Sequence, residues 1–125
     1  MLKTLMEGMQ SQQMKELETL FERDNKEMKS NQAKASVETL RDVQNDKNLK
    51  TKAEKERIIR EKNANNTKRF IDERKSQAMK QANRREKLRK DHGNQALYIV
   101  TYIHQVLTET TLTMTDHQNL SSFVV

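Results

Sequence analysis

From Leu2 to Val43 the apolar residues fall in steps of three and four: Leu2, Leu5, Met6 and Met9, then Met14, Leu17, Leu20, Phe21 and Met28, then Val37, Leu40 and Val43. Such steps put side chains on one face of a helix, because 3.6 residues complete a turn. The face is narrow, like the seam of a coiled coil. The polar cluster QNDKN at residues 44–48 interrupts it. Asn and Asp side chains compete for backbone hydrogen bonds and weaken helix interiors. The pattern predicts one helix over about residues 2–43 and a second over about 47–92. Their similar lengths suit an antiparallel hairpin. One continuous helix of about 135 Å, at 1.5 Å per residue, is the alternative.

On a wheel of about 100° per residue, the second segment gathers Ala53, Ala64, Ile71, Ala78 and Ala82 on one arc, flanked by Ile59, Phe70 and Leu88. This predicts a thin, alanine-rich inward edge. Lys55, Lys62 and Arg69 recur every seven residues on another face, continued by Lys80, Arg84 and Lys87. Lys50, Arg57, Lys68 and Lys75 form a second row. Glu56–Arg60 and Glu86–Lys90 are spaced as i,i+4 pairs, which contribute roughly 0.2–0.5 kcal/mol each. The methionines at 1, 6, 9, 14, 28, 79 and 114 read mainly as seam fillers.

KLRKDHG at 87–93 has the marks of a helix end. Its cations would meet the negative end of the helix dipole, and Gly93 would take the left-handed position after the last turn. The stop is expected within about two residues of 92. Beyond it, ALYIVTYIHQVL at 96–107 suits a helical face through Ala96, Ile99, Val100, Ile103, Val106 and Leu107. Its β-branched and tyrosine content suits a strand almost as well. TETTLTMTDHQNLSS at 108–122 is polar and reads as loose. The expected organisation is an all-α chain with a helical domain over 1–92 and a loosely structured, divergent C-terminal tail over 93–125. The helices would form a coiled coil or an antiparallel helical hairpin.

Composition agrees with this class. Hydrophobic residues make up 33% and charged residues 34% of 125 residues, with mean hydropathy −1.07 and no Trp. That is too little apolar surface for an ordinary packed core, leaving disorder or long helices with a narrow buried stripe. No Pro and only Gly8 and Gly93 interrupt the chain, which favours helices. A seam this thin leads us to expect self-association, with a homodimer the simplest form.

The charge is segregated. Residues 1–46 hold seven Lys/Arg against nine Asp/Glu, residues 47–92 hold seventeen against seven, and residues 93–125 hold none against two. The middle segment thus carries a net +10 in a chain of net +6. Phosphate-bearing surfaces are the natural counterpart. Anionic lipid attracts each nearby Lys or Arg by roughly 1 kcal/mol. Nucleic acid is not expected. The basic segment lacks a leucine seam directly after it, and Phe70 is its one aromatic platform.

Candidate catalysis is sparse. There is no Cys, hence no thiol nucleophile, disulfide or Cys-based zinc site. His92, His104 and His117 lack metal-ligand spacing, and no Gly-rich phosphate loop exists. No cofactor is expected in this chain. No apolar run reaches the roughly 18 residues of a membrane span. MLKTLMEGMQ does not follow a signal-peptide pattern, so a cytoplasmic location is expected.

Residues 46–81, DKNLKTKAEKERIIREKNANNTKRFIDERKSQAMKQ, contain KTKAEKER (50–57), NNTKRFIDERK (65–75) and AMKQ (78–81). In this order and spacing they resemble the distal C-terminal domain of beta-class phosphoinositide phospholipase C. The likeness extends more weakly from about Met14 to about Lys90. It implies a long antiparallel helical coiled coil that follows a catalytic core. It also implies association with the inner face of the plasma membrane and with Gq-class G-protein α subunits. The parent enzyme would cleave phosphatidylinositol 4,5-bisphosphate using calcium, through domains outside these residues, so no enzymatic activity is expected here. Ser76 and Gln77 depart from the family's tendency towards a basic and an apolar residue. Residues 93–125 do not match, whereas family members continue as charged helix.

The expected membrane-binding residues are therefore Lys50, Lys55, Arg57, Lys62, Lys68, Arg69, Lys75, Lys80, Arg84 and Lys87. Phe70 and Ile71 are the candidate contacts for a protein partner, with seam packing as the simpler reading of both. The terminal SFVV offers Phe123 and Val125 at the spacing of a PDZ ligand, which adds as a strand to a sheet edge.

Overall fold

The computed structural model describes the backbone of residues 1–124 and the side chains of residues 1–114. The side chains of His117, Phe123 and Val125 lie outside the described residues. Two helices account for the fold: α1, Leu2–Asn45, and α2, Lys52–Val124. No strand occurs among the described residues.

The break falls where the polar cluster predicted it, and its chemistry is local. Asp46 Oδ1 accepts from the Asn48 amide at 2.9 Å, while the Asp46 carbonyl accepts from Leu49 at 3.3 Å. This side-chain turn diverts the backbone from helix. Thr51 then opens α2. Its hydroxyl accepts from the Glu54 amide at 3.2 Å and its carbonyl from the Lys55 amide at 3.2 Å. Thr51 and Glu54 have the spacing of a capping box, and the forward bond is made. Lys55 reaches back, its Nζ 3.1 Å from the Gln44 carbonyl, and satisfies one of the acceptors that α1 leaves open at its end.

The helix stop expected near residue 92 is absent. α2 passes through Gly93, which has no positive φ, and runs to Val124. Cations and a glycine mark a helix end only when the residues after them cannot stay helical. Residues 94–107 can, and contacts on both sides of Gly93 hold it in the helix. Of the helix and strand options for residues 96–107, the helix is realised. No side chain from 100 to 114 is even half-buried.

The chain divides into two units, one of Met14–Arg85 and one of Met1–Gln13 with the chain from Glu86 onward. In Met14–Arg85 the helices form an antiparallel hairpin, with Thr39 opposite Asn66, Gln32 opposite Phe70, and Glu18 opposite Arg85. In the other unit Gln10 and Gln13 meet His92.

Five of the described residues are buried: Leu17, Phe21, Gln32, Val43 and Gln81. Each apolar one contributes roughly 1.5–3 kcal/mol by leaving water. Half-buried residues such as Met14, Met28, Ile59, Phe70 and Leu88 extend the seam. Its spacing is eleven rather than seven. Gln10, Phe21, Gln32 and Val43 form one row on α1; Ile59, Phe70, Gln81 and His92 form one on α2. Asn66, Gln77, Leu88 and Ile99 form a second α2 row at the same interval. Eleven residues overshoot three turns by about 20°, whereas seven undershoot two by as much, so a seven-residue reading drifts off this face.

The alanine-rich edge expected to face inward is not the seam. Ala53, Ala64, Ile71, Ala78 and Ala82 are all exposed, Ile71 at 47%. The flanking Ile59, Phe70 and Leu88 face the partner helix together with polar residues, because amides can be buried when each meets a partner. Met6, Met14 and Met28 are half-buried, whereas Met1, Met9, Met79 and Met114 are exposed and fill no seam.

Candidate functional site

The polar seam of the hairpin is fully paired. Gln32 is 4% exposed. Its Nε2 donates to the Phe70 carbonyl at 3.2 Å and to Glu73 Oε2 at 3.1 Å, and its Oε1 accepts from Arg74 Nε at 2.9 Å. Asn25 Oδ1 accepts from both Gln77 and Gln81, at 2.8 and 2.9 Å. Asn66 Nδ2 donates to the Thr39 hydroxyl at 2.9 Å. No buried side-chain nitrogen or oxygen lacks a partner among the described residues. Gln77, which the family resemblance marked as a departure that thins the seam, is one of its hydrogen-bonding members.

Arg85 closes this set. Its Nε and Nη2 meet the two Glu18 oxygens at 2.6 and 3.0 Å, a two-pronged pair that fixes both side chains. Its guanidinium also lies 4.8 Å from the centre of the Phe21 ring. The hydrogen bond to Glu18 pushes the Arg85 pKa above its ordinary value; burial opposes this and the Glu18 charge adds to it. A raised folded pKa keeps its stabilisation at every pH below the ordinary value, so Arg85 stays charged throughout the physiological range.

The ten sequence-predicted cations have different surroundings. Lys55 is half-buried and bonded to α1. Arg57 pairs with Glu61 at 3.5 Å, and Arg69 with Glu73 at 3.7 Å, while Arg69 also lies 5.2 Å from the centre of the Phe70 ring. Arg84 lies 5.9 Å from the centre of the Phe21 ring. Lys50, Lys62, Lys68, Lys75, Lys80 and Lys87 are exposed and enter no ion pair among the described residues. Glu86 pairs with Arg89 at 3.2 Å rather than with Lys90.

Four of these cations line one open groove of the hairpin. Lys68, Arg69, Lys80 and Arg84 stand there with Asp24, Glu27, Asp72 and Glu73. The sequence wheel showed the cations but not the acids that α1 brings beside them. Phe70 is half-buried at the seam, so of the two candidate partner contacts only Ile71 is exposed.

In the other unit, Leu2, Leu5, Met6 and Met9 share an apolar groove with Tyr98 and Ile99. His92 Nε2 lies 2.8 Å from Gln13 Oε1, and Gln10 Nε2 donates to the His92 carbonyl and to Gln95 Oε1, each at 3.2 Å. His104 is exposed. Among the described residues no cluster of His, Asp and Glu could hold a metal ion, and no helix is long and apolar enough to cross a membrane.

No family model and no curated protein matches the chain. Solved structures do. The chain is similar to the C-terminal coiled-coil domain of Drosophila phospholipase C beta NORPA, with 43% sequence identity and a TM-score of 0.81. It is also similar to the methylated C-terminal domain described as Drosophila phospholipase b NORPA, with 44% identity and a TM-score of 0.80. Each likeness covers 83% of this chain and 49% of the other, so the chain spans about half the length of these structures. Shared sequence and the same paired long helices lead to one conclusion: the chain belongs to the family of phospholipase C beta C-terminal coiled-coil domains.

Proposed function

We propose that this chain is a non-catalytic regulatory module that holds a phosphoinositide-specific phospholipase C beta at the cytoplasmic face of the plasma membrane. It does so through exposed cations of α2, and it engages a Gq-class G-protein α subunit. Hydrolysis of phosphatidylinositol 4,5-bisphosphate, with its calcium, belongs to other domains of the parent enzyme.

The supporting observation is the set of exposed lysines in a segment of net +10. Lys62, Lys68, Lys75 and Lys80 are not used by the fold. Each contributes roughly 1 kcal/mol near an anionic surface, so four together strengthen binding by about a thousandfold. Lys55 contributes less, because its ammonium already serves the end of α1. Ile71 is an exposed apolar residue in the same basic segment, 47% exposed, and is the contact we assign to the G-protein subunit.

The test is sedimentation with vesicles of phosphatidylcholine containing phosphatidylserine and phosphatidylinositol 4,5-bisphosphate. The quadruple change Lys62→Glu, Lys68→Glu, Lys75→Glu and Lys80→Glu should leave helicity intact and abolish pelleting. Unchanged pelleting would remove the lipid reading and leave a purely structural coiled coil. Ile71→Glu should weaken capture of the activated α subunit without changing vesicle binding; equal capture by both proteins would exclude that contact.

A further inference from the structure

Between the two helices the chain is non-helical for six residues, 46–51, and Thr51 is the last of them. Thr51 is exposed. Lysines stand close on both sides of it: Lys47 and Lys50 before, Lys52 and Lys55 after. Asp46 and Glu54 are the acids of the same stretch, so lysine prevails there. Lys47, Lys50 and Lys52 are exposed, whereas Lys55 is half-buried with its Nζ 3.1 Å from the Gln44 carbonyl. Neither the lipid reading nor the G-protein reading uses the Thr51 hydroxyl.

An exposed hydroxyl on non-helical backbone between lysines suits a basophilic serine/threonine kinase. Such enzymes seat an extended peptide and choose it by the charge around the acceptor. A residue inside a helix cannot take that form without unwinding its neighbours. Ser76 makes the comparison. It follows Arg74 and Lys75 and is exposed, yet it lies deep inside α2 with Asp72 and Glu73 one turn before it. At Thr51 the charge and the backbone agree. Only the first turn of α2 has to open, and helix ends fray readily.

We propose that Thr51 is a phosphorylation site for a kinase that selects lysine-rich sequence, and that its phosphate draws Lys55 from the end of α1 to the start of α2. Thr51 Oγ1 attacks the γ-phosphorus of ATP. A new O–P bond forms, the bond to the bridging oxygen breaks to release ADP, and the hydroxyl proton passes to the catalytic aspartate of the kinase. The product carries roughly 1.5 to 2 negative charges at pH 7. It stands at the positive end of the α2 dipole, where the Glu54 amide already points at the Thr51 oxygen from 3.2 Å. Lys55 lies one turn on, its amide 3.2 Å from the Thr51 carbonyl. The phosphate offers its ammonium a charged acceptor, which binds roughly twice as strongly as a neutral carbonyl such as that of Gln44. Asp46 and Glu54 oppose the new charge, and Lys50 and Lys52 favour it. α2 thus gains a firmer first turn, while α1 loses a donor from its last.

The full chain is incubated with MgATP and the catalytic domain of a basophilic kinase, with an acid-directed kinase as control. The basophilic enzyme should add one phosphate, and fragment mass analysis should place it on Thr51. Thr51→Ser should accept it and Thr51→Val should not. Lys50→Glu with Lys52→Glu should slow transfer at least about tenfold, because like charge then faces the kinase, while helicity stays unchanged. No phosphate at Thr51, transfer to Ser76 in its place, or equal transfer by the acid-directed kinase would overturn the site. Phosphorus NMR then reads the exchange of Lys55. The second ionisation of the phosphate should lie about half a pH unit lower in the folded chain than in urea, and Lys55→Gln should remove most of that difference. Equal titration in both states, or a shift that persists in Lys55→Gln, would mean that Lys55 stays with Gln44 and would overturn the exchange.

Discussion

Gly93 shows how one residue carries opposite meanings. After Lys87, Arg89 and Lys90 it reads as a helix end, yet it lies inside α2 with no atom near where a Cβ would stand. Gly93→Ala should therefore raise stability by about 0.5–1 kcal/mol, since alanine loses less backbone freedom in a helix. Thermal unfolding followed by circular dichroism checks this, and a drop in Tm would restore the helix end. Gln32 makes the complementary case. Its amide serves Phe70, Glu73 and Arg74 while buried. Gln32→Ala should lower stability by about 1–3 kcal/mol, because it removes three bonds and leaves Arg74 without that acceptor. The urea midpoint should fall at constant slope if only the folded state is affected.

At the level of the elements, two helices and the break between them were legible in the sequence, whereas the run of α2 past Gly93 and its inner face were not. α1 shows its face because Leu17, Phe21 and Val43 are apolar at helical steps. Asp46 and Asn48 show the turn because their side chains bond to backbone more readily than they sustain a helix. On α2 the inward positions include Asn66, Gln77, Gln81, Arg85 and His92, which no hydrophobicity pattern recognises as seam. Small exposed alanines imitated a seam instead. The recoverable signal was the eleven-residue interval that joins Phe21 to Gln32 and Val43. The cationic rows were legible because exposure leaves charge visible in the sequence. That Lys55 caps α1 was not, because it requires the turn to bring Gln44 within reach. Thr51 tests the element boundary directly. Thr51→Ala should cost about 1 kcal/mol by losing the bond to the Glu54 amide, while Thr51→Ser should restore most of it. Equal losses in the two variants would mean that the hydroxyl does not cap α2.

For the whole molecule, the separation of charge along the chain predicts two opposite responses to salt. Attraction of Lys62, Lys68, Lys75 and Lys80 to anionic lipid acts through water, and its range shrinks from about 10 Å at 0.1 M salt to about 3 Å at 1 M. Packing of Leu17, Phe21 and Val43 between the helices acts by removing apolar surface from water, which salt does not screen and sulfate strengthens. Raising sodium sulfate from low to high concentration should therefore release the protein from phosphatidylserine vesicles while its helicity persists and its Tm holds or rises. Sedimentation with vesicles and circular dichroism of the same preparation read both. If helicity fell in step with vesicle release, the exposed lysines would have to hold the fold as well as the lipid. An unchanged Tm in the quadruple Lys→Glu protein would place lipid attraction and helix packing on separate residues of α2.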